Sequence, residues 1–106
     1  MDSALYKELY GEQEKLQKRA YLDHKTLVRD YEFAFRGPEG SRVLEHIMSL
    51  CRINSSTFTG NSRTFYNEGV QDVGKAIKRM VMEADPEIYF QVERRVWEEE
   101  KQEVKQ

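Results

Sequence analysis

The sequence predicts an all-α protein: a small helical bundle with a protruding N-terminal helix. Three observations predict it. Apolar residues recur at spacings of three and four in successive segments, the period of a helix face and not the alternation of a strand. Helix breakers are few and clustered, at Gly37-Pro38-Glu39-Gly40, Gly60-Asn61 and Asp85-Pro86. A charged fraction of 34%, with two prolines and six glycines, suits helices better than sheets.

The first helical segment covers residues 3 to about 22. Leu5, Leu9, Leu16 and Ala20 recur at four, seven and four, with Tyr6, Tyr10 and Tyr21 alongside and Gly11 interrupting. So thin an apolar face buries too little to be secure alone and needs a partner surface. Residues 24–35 continue the pattern with Leu27, Val28, Tyr31, Ala34 and Phe35. The residues leave open one helix or two; two segments meeting near residues 22–26 are expected. Proline at position 38 then starts a helix to about Cys51, with Val43, Leu44, Ile47, Met48, Leu50 and Cys51 buried. This most apolar segment is expected to pack directly against residues 63–84.

Phe58–Ile77 is the stretch around which the rest is organised. Gly60-Asn61 signals a turn, and Asn61 or Ser62 can accept from the free amides of the helix that follows. Tyr66, Val70, Val73, Ile77, Met80, Val81 and Ala84 are read as its core face. Phe58 and Phe65 are read as aromatic plugs fixing how the loop enters the helix. Gly69 and Gly74 each cost about 0.5–1 kcal/mol relative to Ala in a helix interior. Close approach by a neighbouring element would offset that cost, or contact with a partner chain. Arg63, Asn67 and Glu68 form a polar cluster, either a capping and ion-pair network around the turn or a binding site. Asp85 caps a last helix with Pro86 in its first turn, carrying Ile88, Tyr89, Val92, Val96 and Trp97. The charged end beyond it reads as a solvated or fraying helix terminus. The expected organisation is an N-terminal helical extension (1–24), a helical core domain (25–98) and a charged tail (99–106).

The net charge of −2 argues against a general nucleic-acid binder. It is unevenly spread: −1 over residues 1–35, +3 over 36–82 and −4 over 83–106. A single cysteine, Cys51, allows no internal disulfide and reads as a small buried hydrophobe. No signal peptide, lipidation motif or eighteen-residue apolar run occurs, so neither export nor membrane insertion is expected.

No catalytic constellation is present, and the chain is expected to be no enzyme and to need no cofactor or metal. His24 and His46 lie in different helices and, with one cysteine, make no ligand spacing. The serines have neither an elbow motif nor an Asp–His pair to activate them. A DNA-binding helix-turn-helix over residues 38–82 fits less well than a protein-interaction role. The connection, residues 53–61, is longer than the three- or four-residue turn of such motifs, and only Arg63 lies where base contacts occur.

The segment Asp30-Tyr31-Glu32-Phe33-Ala34-Phe35, then Gly37-Pro38-Glu39-Gly40, Val43-Leu44 and Cys51 carry a resemblance. So do Phe58-Thr59-Gly60-Asn61-Ser62-Arg63-Thr64-Phe65-Tyr66-Asn67-Glu68-Gly69 and Ala84-Asp85-Pro86. Over about residues 28–92 the chain resembles a family of small tailed-bacteriophage proteins of podovirus-like genomes and prophages, encoded among terminase, portal and head genes. The resemblance implies a virion structural or assembly protein, found in the virion and in the host cytoplasm during assembly. Its station would be portal-associated, internal or at the head–tail joint; a DNA-packaging accessory is the alternative. The implied partner is a larger phage structural protein such as a portal or head protein, with homo-oligomerisation left open. Leu5, Tyr6, Leu9, Tyr10 and Leu16 are the candidate contacts.

Overall fold

Residues Ser3–Phe35 form one continuous 33-residue helix, α1. The junction of two segments expected near residues 22–26 is absent. No proline interrupts α1, its residues are mostly strong helix formers, and the cost of Gly11 is too small to break so long a run. Near the supposed bend, the Thr26 hydroxyl donates to the Leu22 carbonyl at 3.0 Å, within the helix. At 1.5 Å per residue α1 is about 50 Å long. The computed structural model describes residues 3–105; residues 1, 2 and 106, which the expected outer segments included, lie outside the described residues.

After α1 the chain reverses at Gly37, whose extended backbone leads into α2, Pro38–Leu50. Gly40 makes the corner. A Cβ there would lie 2.1 Å from the Ala34 carbonyl oxygen and 2.8 Å from the Phe35 Cα, so the two helices meet backbone to backbone. Past the end of α2, Arg52 takes a left-handed conformation, φ 55°. The Ile53 amide then donates back to the Met48 carbonyl at 3.2 Å, closing the helix end. A loop leads to α3, Arg63–Ala84, and a one-residue break at Asp85 leads to α4, Pro86–Lys105. Asp85 caps α4 as expected: its Oδ1 accepts from the Glu87 amide at 3.1 Å.

α1 packs against α2 and α3, and α4 packs against the same two helices. α2 and α3 therefore sit diagonally. The direct α2–α3 packing expected from sequence is confined to the core, where Leu44 and Met48 share a cluster with Val81, and to the end of α2, while α1 and α4 make the broader contacts with both helices. Leu44, Met48, Val81, Ile88, Tyr89 and Val92 form the buried centre, with Tyr31, Phe35 and Ile77 among those packed around it. Because α2 is covered on only part of its surface, Val43 and Leu50 are exposed, contrary to expectation. Trp97 is exposed as well. Gly74 is buried where α3 passes the end of α2: a Cβ there would lie 2.6 Å from the Cys51 Cβ. Close packing within the chain therefore accounts for Gly74.

Side-chain ties hold the helices in place. His24 Nε2 lies 2.9 Å from Glu83 Oε1, joining α1 to the end of α3. Arg95 joins α4 to α2, donating to Glu45 Oε2 at 3.0 Å and to the buried Ser41 hydroxyl at 3.1 Å. The whole is elongated, 76 × 39 × 15 Å, with a radius of gyration of 20.3 Å. A compact chain of this length would have about 13 Å.

Candidate functional site

The first feature that could do work is the free part of α1. None of its residues is fully buried. Only its C-terminal portion is covered, where Val28, Tyr31, Glu32 and Phe35 are half-buried. Towards the N-terminus, Leu5, Leu9 and Leu16 are 49, 48 and 67% exposed, and Tyr6 and Tyr10 are 56 and 54% exposed. The two tyrosines stack on each other, centroids 6.0 Å apart. The leucines follow an eleven-residue repeat, Leu5/Leu16/Leu27 beside Leu9/Ala20/Tyr31. Eleven residues make three turns with little drift, so this face runs almost straight along the helix until Tyr31 carries it into the core. All five candidate contacts thus lie on one helical stretch and are exposed.

The second feature is the loop from Arg52 to Arg63. Asn61, not Ser62, supplies the side-chain cap: its Oδ1 accepts from the Arg63 amide and from the Thr59 hydroxyl, each at 2.9 Å. The Thr59 amide donates to the Thr64 hydroxyl at 3.0 Å. Asn67 is buried, its Nδ2 donating to the Thr57 carbonyl at 3.3 Å. Gln71 donates to the carbonyls of Arg52 and Ser55 at 2.8 and 3.0 Å. This polar lacing fixes how the chain enters α3. The aromatic-plug reading is wrong, because Phe58 and Phe65 are 78 and 77% exposed. Asn67 occupies the inward position that a plug would need. The side chains of Arg63 and Glu68 stand exposed outside this lacing, so the polar cluster does not act as one network. Thr59, Thr64 and Gln71 do the work instead, and the turn-prone composition of the loop was their only signal.

The third feature is α3 itself, which carries two apolar registers one residue apart. Asn67, Val70, Gly74, Ile77 and Val81 face inward; Tyr66, Gly69, Val73, Ala76 and Met80 are displaced by about 100°. Tyr66 and Val73, expected in the core, are 68 and 58% exposed. Gly74 wins the inward place because its neighbour leaves no room for a side chain, and the expected stripe mixed the two registers.

A groove of about 350 Å³ runs between the end of α2 and α4, with Met48, Tyr89 and Val92 lining it and Glu45, Glu93 and Glu99 among its polar groups. Burial, reinforced by the Glu93 carboxylate, pushes the Tyr89 phenol above its ordinary value of 10.0. Among the described residues no group of three metal-ligating side chains comes together. No helix among the described residues is long and apolar enough to cross a membrane.

Fold and surface together define an elongated all-α chain whose small core leaves several apolar helix faces uncovered. The chain belongs to the Bbp19-like phage protein family, whose sequence profile matches residues 31–94. It is a phage protein. The profile spans every residue of the hydrophobic core named above, and it leaves out α1 up to residue 30 and α4 from residue 95. No curated protein and no solved structure matches the chain significantly.

Proposed function

We propose that the protein is a non-enzymatic structural or assembly component of the phage particle. It attaches to a larger phage structural protein, such as the portal or head protein, through the free part of α1. The observation that carries this reading is the surplus of surface. The chain exposes 8,525 Å², against about 6,200 Å² for a compact monomer of its mass. The difference, about 2,300 Å², exceeds the roughly 800 Å² that each partner buries in a standard interface. On α1 before residue 28, outside the family profile, exposed leucines and tyrosines line an uncovered face. A narrow apolar face on a straight helix suits a groove or a helical bundle on a partner. Ring symmetry, where present, would follow from that partner.

Mass spectrometry of purified particles, made with and without the gene, tests the proposal. The protein should be found in wild-type particles, and its loss should leave assembly incomplete. Absence from wild-type particles would reject a virion station and favour a factor acting free in the infected cell. The DNA-packaging alternative rests on the exposed arginines Arg36, Arg42, Arg52 and Arg63. It requires an affinity for DNA that falls steeply with salt.

A further inference from the structure

We propose that two copies of this chain associate through the outward face of α3, paired antiparallel. This goes beyond the attachment through α1 and uses a different face, so the two can fail separately. Tyr66, Gly69, Val73, Ala76 and Met80 recur at three, four, three and four, the spacing of a coiled-coil seam. Among the described residues most of this seam is left uncovered: Tyr66 and Val73 are more than half exposed, Gly69 and Ala76 are exposed beside them, and only Met80 at its end is half-buried. Gly69 sharpens the point. A Cβ there would meet nothing within 4 Å, so intrachain packing does not explain a glycine in a helix interior, as it does for Gly74. Approach by another helix does.

A second copy fits this face in size and in charge. Set antiparallel so that Val73 faces Ala76 of the other copy, the helices also bring Gly69 opposite Met80; both layers set a larger residue against a smaller one, and Tyr66 lies at the edge of the seam opposite Glu83. In the same register Asp72 flanks the seam opposite Arg79 of the other copy, giving two charge pairs by symmetry. Among the described residues neither Asp72 nor Arg79 has an ion-pair partner in its own chain. A parallel in-register pairing would set Asp72 beside Ile77 and Arg79 beside Ala84 of the other copy and would form neither charge pair. The surplus surface of about 2,300 Å² leaves room for this interface alongside the α1 contact.

Light scattering and sedimentation of the purified full chain test the pairing. The wild type should have twice the 12.6 kDa chain mass. Val73→Glu should be monomeric with unchanged circular dichroism, since the residue is exposed and its replacement leaves the core intact. Asp72→Arg and Arg79→Asp should each weaken association about tenfold or more by facing like charges, and mixing the two variants should restore it as a heterodimer. A wild type that stays monomeric at all concentrations overturns the proposal, even if it binds another phage helix through Val73. So does a Val73→Glu chain that still dimerises, or a mixture of the charge variants that fails to recover.

Discussion

Replacing Gly40 by Ala tests the corner on which the α1–α2 arrangement turns. The added Cβ would stand 2.1 Å from the Ala34 carbonyl oxygen and 2.8 Å from the Phe35 Cα. A close carbon–oxygen contact needs about 3.3 Å, so the helix ends must separate by about 1 Å. Both obstructing atoms are backbone, and no side chain can swing aside. Overpacking of this kind costs about 1–3 kcal/mol, and the backbone clash places Gly40 at the upper end. Ala regains about 0.5–1 kcal/mol of helix propensity, leaving a net loss of about 2 kcal/mol. For a chain of this size that is a fall of about 8–16 °C in melting temperature. Gly69→Ala is the control. Its Cβ enters open space, so at concentrations low enough for a monomer it should gain the same 0.5–1 kcal/mol with no penalty. Urea denaturation followed by far-ultraviolet circular dichroism compares the two. Equal midpoints for Gly40→Ala and wild type would refute the backbone-contact account of the corner.

Three further outcomes follow from the packing. Gly74→Ala should destabilise by about 1–3 kcal/mol, because its Cβ would lie 2.6 Å from that of Cys51; in a denaturation series Cys51→Gly should relieve much of the loss. Arg95→Met should cost about 1–2 kcal/mol in the same assay, since it strips the charged donor from Glu45 and leaves the buried Ser41 hydroxyl without its bond. Tyr89 is held protonated by burial and by Glu93, whereas in the unfolded chain its phenol ionises near 10. Its contribution to stability is therefore complete below pH 10 and is lost as the pH climbs through the raised native value. Tyr89→Phe should flatten that alkaline loss, as read from urea midpoints on either side of pH 10.

Helix existence was legible because periodicity and breakers agree: Pro38, Asn61 and Asp85 mark starts that the structure keeps to within two residues. The bend expected in α1 had only a composition shift behind it, and without proline that shift could not compete with continuous backbone bonding. Partner choice between helices was harder to see. α2 is the most apolar helix, yet apolarity does not say which neighbour covers which side. In α3 the two registers differ by one residue, so hydrophobicity alone admits Tyr66 and Val73 as readily as Val70 and Ile77. What separates them is a buried Asn67 with a carbonyl to bond and a glycine pressed by Cys51. Of the candidate sites, the α1 face was visible as leucines too thinly spaced for a core. The lacing around the α3 entry depends on long-range partners such as Gln71 and Arg52, which no local pattern announces.

In the proposed arrangement the core of residues 31–94 holds itself together while another protein completes the free part of α1. A mixed infection tests it most directly, with wild type and a Leu9→Asp/Leu16→Asp chain expressed together and each quantified in the lysate and in purified particles. Both residues are exposed, so the variant should accumulate and melt like wild type yet be depleted from particles at least about tenfold, since a charge in an apolar contact costs several kcal/mol. Equal proportions of the two chains in lysate and particle would contradict the account.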